Sequence, residues 1–310
     1  MKLLSAFFRL VRWPNLVFIA LTQVLFVYCI LFPVLGQYNI LPVVRGWVFV
    51  LLCLSSVLIA AAGYIINDYF DLNIDEINKP DKLIVDKIIP RRWTIILHLL
   101  LSIIGILIGV YLDLSTPIIF LSIANLVCVL LLFYYSISLK RKLLAGNVLI
   151  SLLTAWVILV ITFCETRQMI TLPSFATARV MRFTFLYSGF AFIISLIREV
   201  VKDMEDVEGD RRYGCTTMPI AWGMNAAKIF VAVWLVVLIA VLVIVQFYVL
   251  QFHWWWSAIY CLLLIIVPLI YVLRKFFHAH SPADFHKISS LIKFIMFTGI
   301  LSMIFIKIYS

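Results

Sequence analysis

Apolar residues run along this chain in long unbroken stretches. They show neither the alternation of a half-buried strand nor the one-sided stripe of a surface helix. Stretches free of Asp, Glu, Lys and Arg extend from Asn15 to Val44, Gly46 to Asn67, Trp93 to Leu112, Leu114 to Leu139 and Leu143 to Cys164. About 20 apolar residues in a helix cross the hydrocarbon core of a bilayer, so each stretch suffices for one crossing. The stretch from Ile229 to Leu273 is too long for one, and its polar interruption at Gln246, Gln251 and His253 predicts two helices. Phe183 to Ile197, which is short, and Ile288 to Ile306, interrupted by Lys293, complete the set. The pattern predicts an all-α fold: a polytopic membrane bundle of nine transmembrane helices, forming a single domain over residues 1–310. The first segment follows Arg9 and Arg12 and lacks a small-residue cleavage site, so it reads as a retained helix and not a signal peptide.

Composition agrees, with 65% hydrophobic and 13% charged residues, against roughly 25% charged in soluble domains. The net charge of +10 is no nucleic-acid signature, because it sorts by membrane side. With a cytosolic N-terminus and alternating helices, all 25 Lys and Arg except Arg45, Arg167, Arg179, Arg182 and Lys307 fall on the cytosolic side. Positively charged loops face the cytosol, so this orientation is the expected one, in a plasma or inner membrane. The six cysteines lie singly in or beside apolar segments without metal-ligand spacing, and read as small buried hydrophobes.

Against so apolar a background the 15 acids stand out, and most fall in two clusters. NDYFDLNIDEINKPD closes the second apolar segment and REVVKDMEDVEGD the sixth. Asp68, Asp71 and Asp75 are spaced by three and four residues, and so are Asp203, Asp206 and Asp210. Such offsets predict three carboxylates on one face of a helix end, twice over. Crowded carboxylates repel unless cations neutralise them. An open, all-oxygen cluster suits Mg²⁺, which binds through one or two carboxylates plus substrate phosphates. Two clusters facing each other suit metals held around one diphosphate, where they stabilise the charge building on the leaving group. The plain alternative is a pair of solvated loops whose acids offset nearby bases.

Bases flank the acids as an anionic substrate requires. Arg198 and Lys202 stand at the second cluster, Lys79 and Lys82 follow the first, and YYSISLKRK ends in Lys140, Arg141 and Lys142. Lys140 is the candidate phosphate ligand of that run. Arg141 and Lys142 read as anchors of the cytosolic loop.

These residues resemble the UbiA-type intramembrane prenyltransferase superfamily. The family's Asn-Asp-x-x-Asp-x-x-x-Asp signature stands here as Asn67, Asp68, Asp71 and Asp75. Its second acidic stretch stands as Asp206 and Asp210, with Asp203 before them. Its Tyr-then-Lys loop is similar to Tyr135 and Lys140, and RWPN, Arg12 to Asn15, is similar to family N-termini in which the Asn lies near the site. The loop LIVDKIIPRR departs from the family, lacking a Gly often found there. KDMEDVEGD followed by GCTTMPI is most similar to the branch acting on geranylgeranylglyceryl phosphate or related lipids.

The resemblance implies nine helices around a central cavity, capped by two motif-bearing loops. It implies Mg²⁺-dependent transfer of a prenyl group from a polyprenyl diphosphate to a lipid or aromatic acceptor. Asp68, Asp71, Asp206 and Asp210 are then catalytic and, with Asp75 and Asp203, metal-binding. Asn15, Asn67, Tyr135, Lys140, Arg198 and Lys202 would bind substrate. The competing class is a cation-coupled secondary transporter. Its carboxylates sit near the bilayer midplane on broken helices, whereas here both triads close the same end of their segments.

Overall fold

The computed structural model describes residues 2–78 and 83–309. Among these the protein is helical, apart from one isolated bridge between Val85 and Ile89. A short amphipathic helix, α1 (Lys2–Leu10), precedes α2 (Trp13–Gly36), α3 (Gly46–Asn78), α4 (Arg91–Ser115), α5 (Leu121–Ile137) and α6 (Ala145–Cys164). Then follow α7 (Ser174–Glu205), the short α8 (Val207–Arg212), α9 (Met224–Leu250), α10 (Trp255–Phe277) and α11 (Pro282–Tyr309).

Among the described residues eight helices are long and apolar enough to cross a membrane, and α5, with 17 residues, is a shorter apolar helix beside them. The long Ile229–Leu273 stretch divides where its polar break predicts, with α9 ending at Leu250 and α10 starting at Trp255. The segment read as short, Phe183–Ile197, belongs to a 32-residue helix, α7. Arg179 and Arg182 had cut it short in the sequence, yet a helix longer than the bilayer tolerates charge at its ends. Turns of π-helix at Val27–Leu31 and Leu262–Ile266 lie just before Pro33 and Pro268, where each ring displaces a backbone hydrogen bond.

Close approach of α3, α4 and α5 depends on small residues. A Cβ on Gly63 would lie 2.9 Å from Leu132, and one on Gly105 2.8 Å from Ile59. Asn125 fills the gap between these helices, donating to Ser55 Oγ at 2.8 Å and the Gly105 carbonyl at 3.1 Å. Buried polar groups paired across helices are the usual adhesive where lipid gives no hydrophobic driving force.

Two helices overrun any bilayer. At 1.5 Å per residue α3 is about 50 Å long and α7 about 48 Å, against a hydrocarbon core of about 30 Å. Asp68 lies about 33 Å along α3 from Gly46, so the first acid cluster begins where the apolar part has been used up. That cluster is therefore not a capping loop. Its three carboxylates ride on the last turns of an unbroken helix.

Candidate active site

On α3 the spacing of three and four keeps Asp68, Asp71 and Asp75 on one face. Each of the first two meets a cation from a different element. Arg12 Nη2 lies 2.6 Å from Asp68 Oδ1, with its guanidinium 5.2 Å from the Tyr64 ring centroid. Asp68 raises the Arg12 guanidinium above its ordinary value. Arg12 joins α1 to α2 with a left-handed φ of 51°. For a non-glycine residue this costs about 1–2 kcal/mol, and it aims the side chain at the acid.

Lys140 sits on a single 3₁₀ turn, Leu139–Arg141, after α5, with Nζ 2.5 Å from Asp71 Oδ1. Burial lowers the Lys140 ammonium from its ordinary value, and Asp71 opposes that shift. The other oxygen, Asp71 Oδ2, accepts from Asn67 Nδ2 at 2.7 Å. Gly146 lets the turn approach α6, since a Cβ there would lie 2.8 Å from Lys140 Cα and 3.0 Å from the Tyr135 ring.

The second cluster is built differently. Asp203 lies on the last turn of α7 and accepts from Asn147 Nδ2 at 2.8 Å. At Asp206 the helix stops (φ −98°, ψ 9°), and Asp210 belongs to α8. The expectation of three carboxylates on one helix face therefore fails here. Equal spacing does not impose equal backbone, and the Val-Glu-Gly stretch after Asp206 begins a new short helix.

Asn78, the last residue of α3, ties the two clusters together. Its Nδ2 donates to the Asp206 carbonyl at 3.1 Å, and its Oδ1 accepts from the Gly209 amide at 2.9 Å. A Cβ on Gly209 would sit 2.5 Å from that carboxamide, so only glycine leaves room for this clasp.

Tyr135 lies within electrostatic reach of Glu199, Asp71 and Asp203. Arg198 Nη1 donates to Glu199 Oε1 at 3.1 Å, and Lys202 Nζ is 3.7 Å from Glu199 Oε2. Arg198 Nε is buried with no acceptor. Asn15, on α2, accepts from Lys293 Nζ at 3.0 Å. Arg141 is exposed, and its carbonyl accepts from the Thr216 amide at 2.7 Å. Lys79 and Lys82 lie outside the described residues.

One turn beyond Asn15 on α2, between α2, α6, α7 and α11, lies an apolar cavity. Phe18, Ile19, Val157, Tyr187, Phe190 and Met296 contribute to its walls.

Among the described residues no three His, Cys, Asp or Glu side chains converge closely enough to cage an ion. The donors available are nonetheless of the right kind for Mg²⁺. They are carboxylate oxygens, and Asn67 Oδ1 is buried without a hydrogen-bond partner beside Asp71. Mg²⁺ keeps waters and uses one or two carboxylates plus phosphate oxygens, so an open set fits it where a closed cage would not.

The family model for the UbiA prenyltransferase family matches residues 25–297. The chain belongs to this family. UbiA relatives include digeranylgeranylglyceryl phosphate synthases. That of Sulfurisphaera tokodaii is 31% identical over 79% of each chain, and that of Methanosphaera stadtmanae 27% identical over 89% of this chain and 92% of its own. The synthase of Methanothermobacter thermautotrophicus is 37% identical, but the match spans only 58% of each chain. Among solved structures, a digeranylgeranylglyceryl phosphate synthase superposes with a TM-score of 0.62 at 23% identity, covering 98% of both chains. A UbiA homologue from Archaeoglobus fulgidus bound to DMAPP and Mg²⁺ gives 0.57 at 16% identity, covering 96% of this chain and 98% of its own. The protein is thus an all-helical integral membrane protein with the UbiA fold.

Within this UbiA site several residues escape a reading of the sequence. Arg12, Asn78, Asn147, Glu199 and Lys293 all touch motif residues or their neighbours. Arg12 opens the RWPN stretch and Glu199 lies in REVVKDMEDVEGD, but the sequence assigned neither of them a part in the site. For Asn78 the only signal was its place three residues after Asp75.

Proposed function

We propose that the protein transfers a geranylgeranyl-type chain from its diphosphate to a lipid acceptor, geranylgeranylglyceryl phosphate. Nine helices cross the membrane, α5 included, and the N-terminus and the acid clusters face the cytosol. The observation that carries this reading is the meeting of two acid clusters, braced by cations, above an apolar cavity. A soluble anionic head and a greasy tail need that combination.

Asp68, Asp71, Asp75, Asp203, Asp206 and Asp210 are assigned to hold Mg²⁺. Bound Mg²⁺ supplies charge neutralisation for the departing diphosphate. Lys140, Arg198 and Lys202 meet the phosphate oxygens with charge-assisted hydrogen bonds, for which the unpaired Arg198 Nε stands ready. Asn67 and Asn78 keep the carboxylates in register. As the bond between the first prenyl carbon and oxygen breaks, its electron pair leaves with the diphosphate. The Tyr135 ring and the apolar walls shield the allylic cation from water. The acceptor hydroxyl oxygen then bonds to the first carbon, and its proton is released.

The relatives named as digeranylgeranylglyceryl phosphate synthases support the lipid acceptor over an aromatic acid. The transporter reading gains no support, because α3 is unbroken and its acids lie at one end. Thin-layer analysis of purified protein given labelled geranylgeranyl diphosphate, Mg²⁺, and equimolar geranylgeranylglyceryl phosphate and 4-hydroxybenzoate tests the proposal. The expected product is the ether lipid alone. The aromatic product alone would remove the acceptor assignment, and no Mg²⁺-dependent product would remove the reaction.

A further inference from the structure

Among the described residues Lys293 is a site-facing base with no ion pair to either acid cluster. It stands about 17 Å inside α11 from Pro282, on a helix apolar enough to span a membrane. Its Nζ donates to Asn15 Oδ1 at 3.0 Å and lies 5.4 Å from the Phe18 ring centroid. No carboxylate forms an ion pair with it among the described residues, and Arg198 and Lys202 lie within electrostatic reach of it. Those two already share Glu199. Arg198 and Lys202 therefore add positive potential around a lysine that has no ion pair of its own among the described residues. An ionisable group without an acidic partner on so apolar a helix is costly and marks function. A cationic excess of this kind is relieved when an anion arrives.

The surroundings say what sort of anion. Lys140, paired with Asp71, and Lys202, within electrostatic reach of Asp203, serve the side where the carboxylates lie. Lys293 and Asn15 belong to a different wall, formed by α2 and α11. One turn deeper on the same two helices stand Phe18 and Met296, which line the apolar cavity. A ligand that satisfies this wall carries a negative head at Lys293 and an apolar chain past Phe18 and Met296.

We propose that Lys293, with Asn15, binds the phosphate monoester of the lipid acceptor and so sets its hydroxyl against the donor. The inference rests on the acceptor reading above and deepens it by naming the group that recognises the acceptor's head. Lys293 distinguishes a phosphorylated lipid from its unphosphorylated counterpart, and the diphosphate donor does not depend on it.

The test pairs kinetics with binding, using the full-length protein in nanodiscs. Lys293→Ala should raise KM for geranylgeranylglyceryl phosphate about tenfold or more, the effect of a lost charged hydrogen bond. KM for geranylgeranyl diphosphate should stay within about twofold of wild type, and Lys293→Arg should restore most of the loss. With geranylgeranylglycerol, which lacks the phosphate, wild type and Lys293→Ala should behave alike. Without donor or Mg²⁺, equilibrium binding of geranylgeranylglyceryl phosphate should weaken by the same factor. A rise in donor KM instead, or equal loss on both acceptors, would overturn the inference. So would unchanged binding. If wild type binds the phosphorylated lipid through Lys293 yet transfers nothing to it, the acceptor reading fails while the binding assignment stands.

Discussion

The two acid clusters share a spacing and little else. The first rides on the end of α3, an unbroken helix about 50 Å long, and its shape follows from the helix alone. The second straddles the end of α7, with Asp203 before the break, Asp206 at it and Asp210 beyond it. One is rigid by construction. The other is set by outside partners: Asn147 on Asp203, and Asn78 on the backbone of Asp206 and Gly209. A repeated spacing thus reports a shared demand for carboxylates and not a shared backbone. The rigid cluster acts as the template against which the broken one is registered.

Substitution of the acids should have the largest effect and should not distinguish the clusters. Asp68→Asn, Asp71→Asn, Asp206→Asn and Asp210→Asn should each lower turnover about 10²–10³-fold or more, corresponding to several kcal/mol of lost charge stabilisation. The folded protein should still elute normally in detergent. EDTA should abolish activity, and Mg²⁺ should restore it. Full activity in any two variants would end the shared-metal account.

The bases come next. Lys140→Ala should raise KM for the prenyl diphosphate about tenfold to a hundredfold, the range for a charged hydrogen bond. Arg141→Ala should change it less than about twofold, because that side chain is exposed. Equal losses at the two positions would show that the 3₁₀ turn presents a different residue to the site.

A smaller effect separates the clusters directly. Asn78→Ala, or Gly209→Ala with its Cβ forced onto Asn78, should lower turnover about tenfold. It should also speed amide exchange across Val207–Arg212 while leaving the turns bearing Asp68 and Asp71 protected. Faster exchange at both clusters would mean that α3 depends on the clasp as much as α8 does.

Much of this was legible in the sequence because it is local. Apolar run length marked the long apolar helices, eight of them long enough to cross a membrane among the described residues, the Gln251 and His253 interruption divided α9 from α10, and acid spacing marked both clusters. The length of α7 and the break at Asp206 were not legible, since charges at a helix end and a short following helix leave the same letters. The bracing contacts were invisible for another reason. Arg12 meets Asp68 and Asn147 meets Asp203 across 56 positions, Asn78 reaches Asp206 across 128, and Lys293 reaches Asn15 across 278. No window along the chain contains both partners. The Tyr135 and Lys140 pair was legible through family resemblance, and the structure adds Asp71 as the lysine's partner.

The central claim is that two clusters of unlike build act as one diphosphate site, and a double-mutant cycle tests it most directly. Binding of geranylgeranyl diphosphate with Mg²⁺ would be measured for wild type, Asp71→Asn, Asp210→Asn and the double variant. Groups serving one ligand-metal assembly couple by about 0.5–3 kcal/mol. The double variant should therefore bind little worse than either single one. Losses that simply add would mean that the clusters hold separate ligands, and the single-site account would be wrong.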